Sequence, residues 1–500
     1  MFSDGQFLII QRKRGAVMTD RLKERNLTML TDFYEITMAN GYFKNGLGDR
    51  MTQFDMFFRE VPDNGGFAIM AGVEQLVKYL NELHFNEDDI DYLRGRGFGE
   101  EFLDYLRNFK FACDVWCVPE GTPIFPYEPI VTVRGPAIQA QFIETMVLIT
   151  INHQSLVATK ANRIVRAAKG RGVMEFGSRR SQGYDGAIYG ARAAYIGGCV
   201  GTACTISDRE FGVKAVGTMA HSWVQLFDTE LDAFCAYARE YPDSCTLLVD
   251  TYNVLKSGIP NAIEAFNREV GPRGFRPKGI RIDSGDITYL TIKARKMLDE
   301  AGFPDCAIVA SNSLDEYVIR DMLHQGAQID SFGVGERLIT ASSAPVFGGV
   351  YKLCAVENEK GEMIPKIKIS ENVAKVTIPG CKKIWRFYDN ETGKCFADLI
   401  TLDDEVVDDS KPYELFDRDF TWKRKIVENY TARPLLIQLF DKGKCVYDFP
   451  ALEDIKTYCK EQIDTLWDEV LRFEKPHNYY VDLSQKLWDL KDNLLKQYKK

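Results

Sequence analysis

His221 follows the apolar run AVGTMA, and it is one of five histidines in the chain. A neutral imidazole at the end of a strand can act as a base, ligate a metal or accept a phosphoryl group. No second His or Cys stands at metal-ligand spacing beside it, so a hydrogen-bonded structural histidine is the alternative. Arg179 and Arg180 follow a glycine in FGSRR, and forked guanidinium groups suit phosphate or carboxylate. Asp283 and Asp286 bracket Ser284 and Gly285 in RIDSGD, a spacing suited to Mg²⁺ shared between carboxylate and substrate oxygens, although Asp286 also fits a helix N-terminus. Ser311 and Asn312 in VASNS, with Gly333 and Gly335 in FGVGER, are small or hydrogen-bonding residues that let backbone N–H groups approach a phosphate. No GxxxxGK[ST] loop occurs, so any ATP binds without one. Phe176 and Tyr34 offer faces for a flat ring. Asp55 and Glu144 have no distinguishing spacing.

The elements that must position these residues are legible as a rhythm. Seven short apolar runs between Val173 and Ile339 stop abruptly at MEFGSRR, CVGTACT, VGTMAHS, LLVDTYN, IRIDSGD, IVASNS and FGVGER. From Phe176 through Thr202, Thr218, Asp250, Asp283, Ser311 and Gly335 the steps are 26, 16, 32, 33, 28 and 24 residues. Most of these match a strand and a returning helix, the pattern of a parallel α/β barrel whose strand ends converge on one face. Ile287, Leu290, Ala294, Met297 and Ala301 predict one helix before Gly302. Leu314, Val318 and Met322 predict another before Gly326, with Ser313 and Glu316 as a capping box.

Around the barrel the pattern divides the chain into three. Residues 18–136 read as an α+β domain, completed by later segments, with a helix over TDFYEITMANGYF. Residues 137–350 form the barrel, led in by one long helix from Ile138 to Lys169. Residues 351–500 carry a hairpin about Asn390 to Lys394 and an amphipathic helix from Ser484 with Leu487, Leu490 and Leu494. Residues 1–17 precede a second methionine, Met18, and are assigned no function.

Composition excludes several classes. A net charge of −9 and a pI near 5.4 argue against a general nucleic-acid binder. No apolar stretch approaches the roughly 18 to 20 residues that span a bilayer, and the run Phe7 to Ile10 is short for a signal peptide, so a cytoplasmic location is expected. Twelve cysteines without a CxxC pair read as reduced core residues. A histidine, arginines, metal-binding carboxylates and glycine-lined loops favour a phosphorylated, metal-bound substrate. They leave open phosphoryl transfer, sugar-phosphate transfer and an aldolase-like reaction.

The motifs LTDFYEITMANGYF, EFGSRRSQGYDGAIYGARAAYIGG, GTxAHSWV, DTYNVL, GIRIDSGD, VASNSLDE and GVGxxLITxxxxPxFGGVYKL together resemble the nicotinate phosphoribosyltransferase family over about residues 30 to 360. KISEN, IPGCKKIWR and ADLI resemble its C-terminal region. The resemblance implies an irregular α/β barrel of the type II phosphoribosyltransferases, with a flanking α+β domain and a C-terminal extension, in a homodimer with sites near the interface. The implied reaction joins nicotinate to phosphoribosyl pyrophosphate with ATP hydrolysis and Mg²⁺. By position, His221 resembles the phosphorylated histidine, and Tyr34 with Phe176 resembles the pair that stacks on the pyridine ring. Arg281 and Thr218 match positions that hold nicotinate. Arg179 matches one near the ring and phosphoribosyl group, and Asp283 one near ribose and metal. Ser311, Asn312, Gly333 and Gly335 match the phosphate loops. Two positions depart or discriminate. Glu336 stands where the family usually has threonine or serine, and a carboxylate there repels phosphate unless it is turned away or bridged by metal. Ala203 stands where the sister enzyme that uses nicotinamide carries aspartate, which favours nicotinate. The nicotinamide-using and quinolinate-using enzymes, and a non-catalytic nucleotide-binding barrel, are the rival readings.

Overall fold

The computed structural model describes residues 25–498; the reading of residues 1–17 lies outside the described residues. Six parallel strands form one sheet: Gly172–Glu175, Gly201–Thr202, Thr246–Leu248, Gly279–Ile282, Ala307–Ser311 and Ser331–Val334. Strands consecutive in the chain pair with one another, except across one seam, and the last pairs with the first, so the sheet curls into a barrel. Val173, Leu247, Leu248, Ile280, Ile282, Ile308, Ala310, Phe332 and Val334 are all buried, as strands covered on both faces require.

The third predicted strand end is reduced to an isolated parallel bridge between Thr202 and Ala215. Among the described residues no ladder joins it to Thr246–Leu248. The shortest step in the rhythm leaves room only for the seven-residue helix Thr205–Phe211 before Ala215. The barrel therefore has an open seam between its third and fourth positions.

Two helix expectations are corrected. The segment after Pro136 is two helices, Ala137–Phe142 and Glu144–Ala167, broken at Ile143. The second ends before Lys169 and Gly170, both at positive φ, which turn the chain into the first strand. The capping box at Ser313 and Glu316 does not form. Asn312 and Ser313 sit at positive φ, and Asp315 caps helix Glu316–His324 by accepting from the N–H groups of Tyr317 and Val318. Glu316 is instead buried against Lys160 and Arg163 of the long helix, at 2.8 and 2.9 Å. Helix Ile287–Glu300 forms where its apolar spacing places it, and Asp286 is its N-cap, accepting from Tyr289 N–H at 3.0 Å.

The flanking domain is discontinuous. Its seven-stranded sheet includes Met51–Phe57, Asp114–Cys117 and Val131–Pro136, but also Val350–Glu357, Met363–Pro365, Ile437–Asp441 and Lys444–Cys445. Asp55 on its first strand is buried and paired with Lys382 at 2.8 Å. The predicted hairpin is the antiparallel pair Lys382–Asp389 and Cys395–Leu402. This pair is tied to the first part of the chain by Arg386, which bonds Asp398 and donates to the Pro123 carbonyl at 2.8 Å. Helix Gln485–Gln497 packs Leu487 and Leu490 against Ile400 and Leu483, with Ser484 as its cap. All twelve cysteines are free, eleven of them buried.

Candidate active site at the barrel mouth

Parallel register decides which strand ends meet. Ile282 pairs with Ala310, so Asp283 and Ser311 follow side by side, and Ser311 pairs with Gly333 on the next strand. From inside the fourth strand Arg281 reaches back to both. Its Nε donates to Ser311 Oγ at 2.9 Å and its Nη2 to Asp283 Oδ1 at 2.9 Å, while Ser311 Oγ also donates to Asp283 Oδ1. The Arg281 guanidinium lies 5.7 Å from the centroid of the Phe176 ring. That ring rests on Gly333, where a Cβ would fall 2.5 Å from it. Phe176 N–H donates to the Val334 carbonyl at 2.7 Å, which fixes its backbone to the last strand. One phenylalanine, one arginine, one carboxylate and one hydroxyl thus form a single bonded group at the C-terminal face, the functional face of such barrels.

His221 opens a five-residue helix on the other side of the mouth. Its Nδ1 is 3.1 Å from Thr251 Oγ1, and its Nε2 is 4.0 Å from Asp250 Oδ1. Both partners come from the end of strand Thr246–Leu248, so the histidine closes by side chain the seam that the backbone leaves open. The imidazole is 40% exposed and reachable, whereas the Asp250 side chain is 1% exposed. Asp250 Oδ2 accepts from Asp283 N–H at 3.1 Å and from Ser284 Oγ at 2.6 Å, while Oδ1 has no hydrogen-bond partner among the described residues. A buried oxygen left open in this way ordinarily has a partner supplied by water, ion or substrate. Asp250 and Thr251 carry no role in the sequence reading. The signal was present, since LLVDTYN is a strand end of the same kind as RIDSGD.

The remaining expected residues fall as follows. Thr218 is half-buried on the short third run, with a weak contact from its hydroxyl to the Met219 carbonyl at 3.5 Å. Arg179 and Arg180 are exposed on a single 3₁₀ turn, and neither side chain has a hydrogen bond or ion pair among the described residues. Asn312, at φ 85°, and Ser313, at φ 51°, form the sharp turn after the fifth strand, a shape that points successive N–H groups to one side. Gly335 sits against the Phe176 carbonyl, where a Cβ would come within 3.2 Å. Glu336 is exposed at the start of the next helix, and its carboxylate has no partner among the described residues. Behind the site Glu175 is buried. Desolvation pushes its carboxyl above the usual range, against the hydrogen bonds from Thr202 Oγ1 and Gly177 N–H. Ala203 is exposed after the second strand and brings no carboxylate to the mouth.

Tyr34 is not brought to Phe176 within the chain. It lies on helix Phe33–Lys44 of the flanking domain, 44% exposed, and no aromatic pair joins the two rings among the described residues. Burial and the nearby Glu144 carboxylate push its phenol above the usual range.

The residues present suit a divalent cation delivered with its substrate. Among the described residues no group of three or more His, Cys, Asp and Glu could hold a metal ion unaided. The unpartnered Asp250 oxygen and Asp283 are the donor type that Mg²⁺ takes alongside phosphate oxygens. No helix of the described residues is long and apolar enough to cross a membrane.

Comparison with known proteins gives one consistent result. Residues 29–152 match the nicotinate phosphoribosyltransferase N-terminal domain, residues 172–380 the nicotinate phosphoribosyltransferase family, and residues 381–491 its C-terminal domain. A nicotinate phosphoribosyltransferase of Bacillus subtilis is 42% identical over 470 residues, covering 94% of this chain and 95% of that protein. The crystal structure of human nicotinic acid phosphoribosyltransferase superposes with a TM-score of 0.83 at 27% identity, over 93% of this chain and 99% of that one. A nicotinate-nucleotide pyrophosphorylase structure from Pyrococcus furiosus, at 24% identity and a TM-score of 0.68 over 91% of this chain and 99% of that one, shares the fold.

Proposed function

The chain belongs to the nicotinate phosphoribosyltransferase family, and on that premise we propose how its barrel mouth transfers a phosphoribosyl group to nicotinate, forming nicotinate mononucleotide in NAD salvage. The observation that carries the reading is the bonded group of Arg281, Asp283 and Ser311 beneath Phe176, with His221 facing it across the open seam.

Nicotinate lies on the Phe176 ring, with Arg281 and Thr218 toward its carboxylate. Its ring nitrogen already carries the attacking lone pair, so no general base is needed. That pair forms the C–N bond at the anomeric carbon as the C–O bond to pyrophosphate breaks, and the bonding electrons leave with pyrophosphate. The anomeric carbon passes through an oxocarbenium-like state. Asp283 supplies negative charge to the sugar, while Arg179 and the N–H groups around Asn312, Gly333 and Gly335 receive phosphate oxygens. Ser311 and Arg281 hold Asp283 in one orientation. Mg²⁺ bound through Asp250 or Asp283 would neutralise charge on the leaving pyrophosphate.

ATP belongs to the proposal through His221. Transfer of the terminal phosphoryl group to the imidazole releases ADP and places roughly two negative charges beside the phosphate loops. Hydrolysis of that phosphohistidine returns the free imidazole and inorganic phosphate, so affinity for substrate is coupled to ATP turnover. A homodimer with sites near the interface is also proposed. Phe33 and Tyr34 are each 44% exposed on their own chain, and a second copy supplies the Tyr34 ring that the chain does not bring to its own Phe176. A cytoplasmic location completes the reading.

Ala203, where the nicotinamide-using enzyme carries aspartate, supports nicotinate over nicotinamide. The test is product formation from labelled nicotinate and labelled nicotinamide in parallel, each with phosphoribosyl pyrophosphate and Mg²⁺, with and without ATP. Turnover of nicotinate alone, stimulated by ATP, is expected. Turnover of nicotinamide would overturn the specificity argument, and turnover of neither would return the chain to the class of binding barrels.

A further inference from the structure

Glu35 is a buried carboxylate that the reaction does not use. It is 0% exposed, no cation pairs with it among the described residues, and burial pushes its carboxyl up to about 7. An apolar residue would occupy the position at no desolvation cost, so the carboxylate is explained by what it fixes. It is the third residue of helix Phe33–Lys44, whose N-cap, Asp32, makes no side-chain capping bond. In an ordinary capping box the third residue reaches the N-cap N–H directly. Here a threonine from another helix stands between them. Thr145 Oγ1 accepts from Asp32 N–H at 3.1 Å and donates to Glu35 Oε1 at 2.6 Å. Thr31 Oγ1 donates to Glu35 Oε2, and it also lies 3.3 Å from the Phe142 carbonyl. Thr31 and Asp32 before Tyr34 and Glu35 after it are thereby tied to the start of helix Glu144–Ala167, where Glu144 faces the Tyr34 hydroxyl and is itself held by Gln141 at 2.6 Å.

We infer that Glu35 is a positioning residue for nicotinate binding, acting through Thr145 to fix the direction in which Tyr34 leaves the helix start. The inference rests on the reading of Tyr34 as one face of the nicotinate pocket. A ring joined to a rigid helix entry loses little freedom on binding, and releasing the entry lowers affinity for the ring without touching the reacting atoms.

The experiment measures kcat and both KM values for Glu35→Ala, Thr145→Val, Glu35→Gln and Tyr34→Ala, and for Tyr34→Ala combined with Glu35→Ala. Glutamine keeps one acceptor for Thr145 and can donate to Thr31, so it preserves the clamp. Glu35→Ala and Thr145→Val should each raise the nicotinate KM about tenfold while leaving kcat and the phosphoribosyl pyrophosphate KM within about twofold. Glu35→Gln should restore the nicotinate KM, and Glu35→Ala should add nothing once Tyr34 is alanine. Should Glu35→Ala fail to fold, Thr145→Val and Glu35→Gln carry the comparison. An unchanged nicotinate KM in Tyr34→Ala would overturn the underlying assignment of Tyr34. A raised KM in Tyr34→Ala with normal values in Glu35→Ala and Thr145→Val would overturn the positioning role alone. Equal losses in kcat and both KM values would show general structural damage and also overturn it.

Discussion

Gly333→Ala moves a ring by a distance that can be worked from the structure. A Cβ at Gly333 would lie 2.5 Å from Phe176 Cδ2 and 2.6 Å from Cε2, whereas carbon atoms rest about 3.5 to 4.0 Å apart. The ring must therefore shift by about 1 Å. Its backbone cannot retreat, because Phe176 N–H is bonded to Val334 at 2.7 Å and the space a side chain would need at Gly177 is already filled by Ile339. The shift is taken by the side chain, which disturbs its 5.7 Å approach to the Arg281 guanidinium. A 1 Å misplacement of a positioning group costs on the order of 10²-fold, or about 2.7 kcal/mol. Most of that should appear as a nicotinate KM raised ten- to a hundredfold, with the KM for phosphoribosyl pyrophosphate changed far less. Initial rates with labelled nicotinate, on protein whose melting midpoint shows it to be folded, measure this. A folded Gly333→Ala enzyme with the parent nicotinate KM would refute Phe176 as a face of the ring pocket.

Other perturbations probe the remaining parts. His221→Ala should abolish ATP stimulation of nicotinate turnover while leaving a basal rate, and full ATP-stimulated activity in that variant would remove the phosphohistidine from the mechanism. Asp250→Asn keeps an acceptor for Asp283 N–H and Ser284 Oγ but removes the charge 4.0 Å from His221. A carboxylate there stabilises the positive charge that develops on the imidazole as it attacks phosphorus, so an ATP-coupled rate lower by about tenfold is expected, and an unchanged rate would place Asp250 outside the coupling. Glu35 has its carboxyl raised to about 7 from 4.5, so between those values the unfolded chain ionises first, stability falls as pH rises, and the loss is complete above pH 7. Glu35→Gln should therefore raise the melting midpoint at pH 8 and leave it unchanged at pH 4; the reverse pattern would contradict the assignment. Arg386→Ala strands buried Asp398 beside buried Glu128 and should cost about 3 to 5 kcal/mol in chemical denaturation, where a loss under about 1 kcal/mol would show that the ion pair is not needed.

Much of this was open to reading in the residues themselves. The barrel rhythm from Phe176 to Gly335, the helix over Ile287–Glu300, the hairpin about Asn390 and the terminal helix capped by Ser484 all follow from local periodicity, caps and turn residues, which act over a few neighbours and leave their mark in one dimension. His221, Asp283 and Ser311 could be picked out for the same reason, since an apolar run that stops at a polar residue marks a strand end wherever its neighbours lie. Tertiary structure decided what those residues touch. Register across strands set Arg281 between Asp283 and Ser311. The short second step, from Thr202 to Thr218, opened the seam that His221, Asp250 and Thr251 bridge. Lys160 and Arg163, far away in the chain, drew Glu316 out of the cap that its spacing with Ser313 predicted. Thr145 entered a capping arrangement more than a hundred residues from its own helix start. Contacts of that kind depend on burial and on the cost of leaving a buried polar group unpaired, and both are properties of the packed chain that no local pattern records.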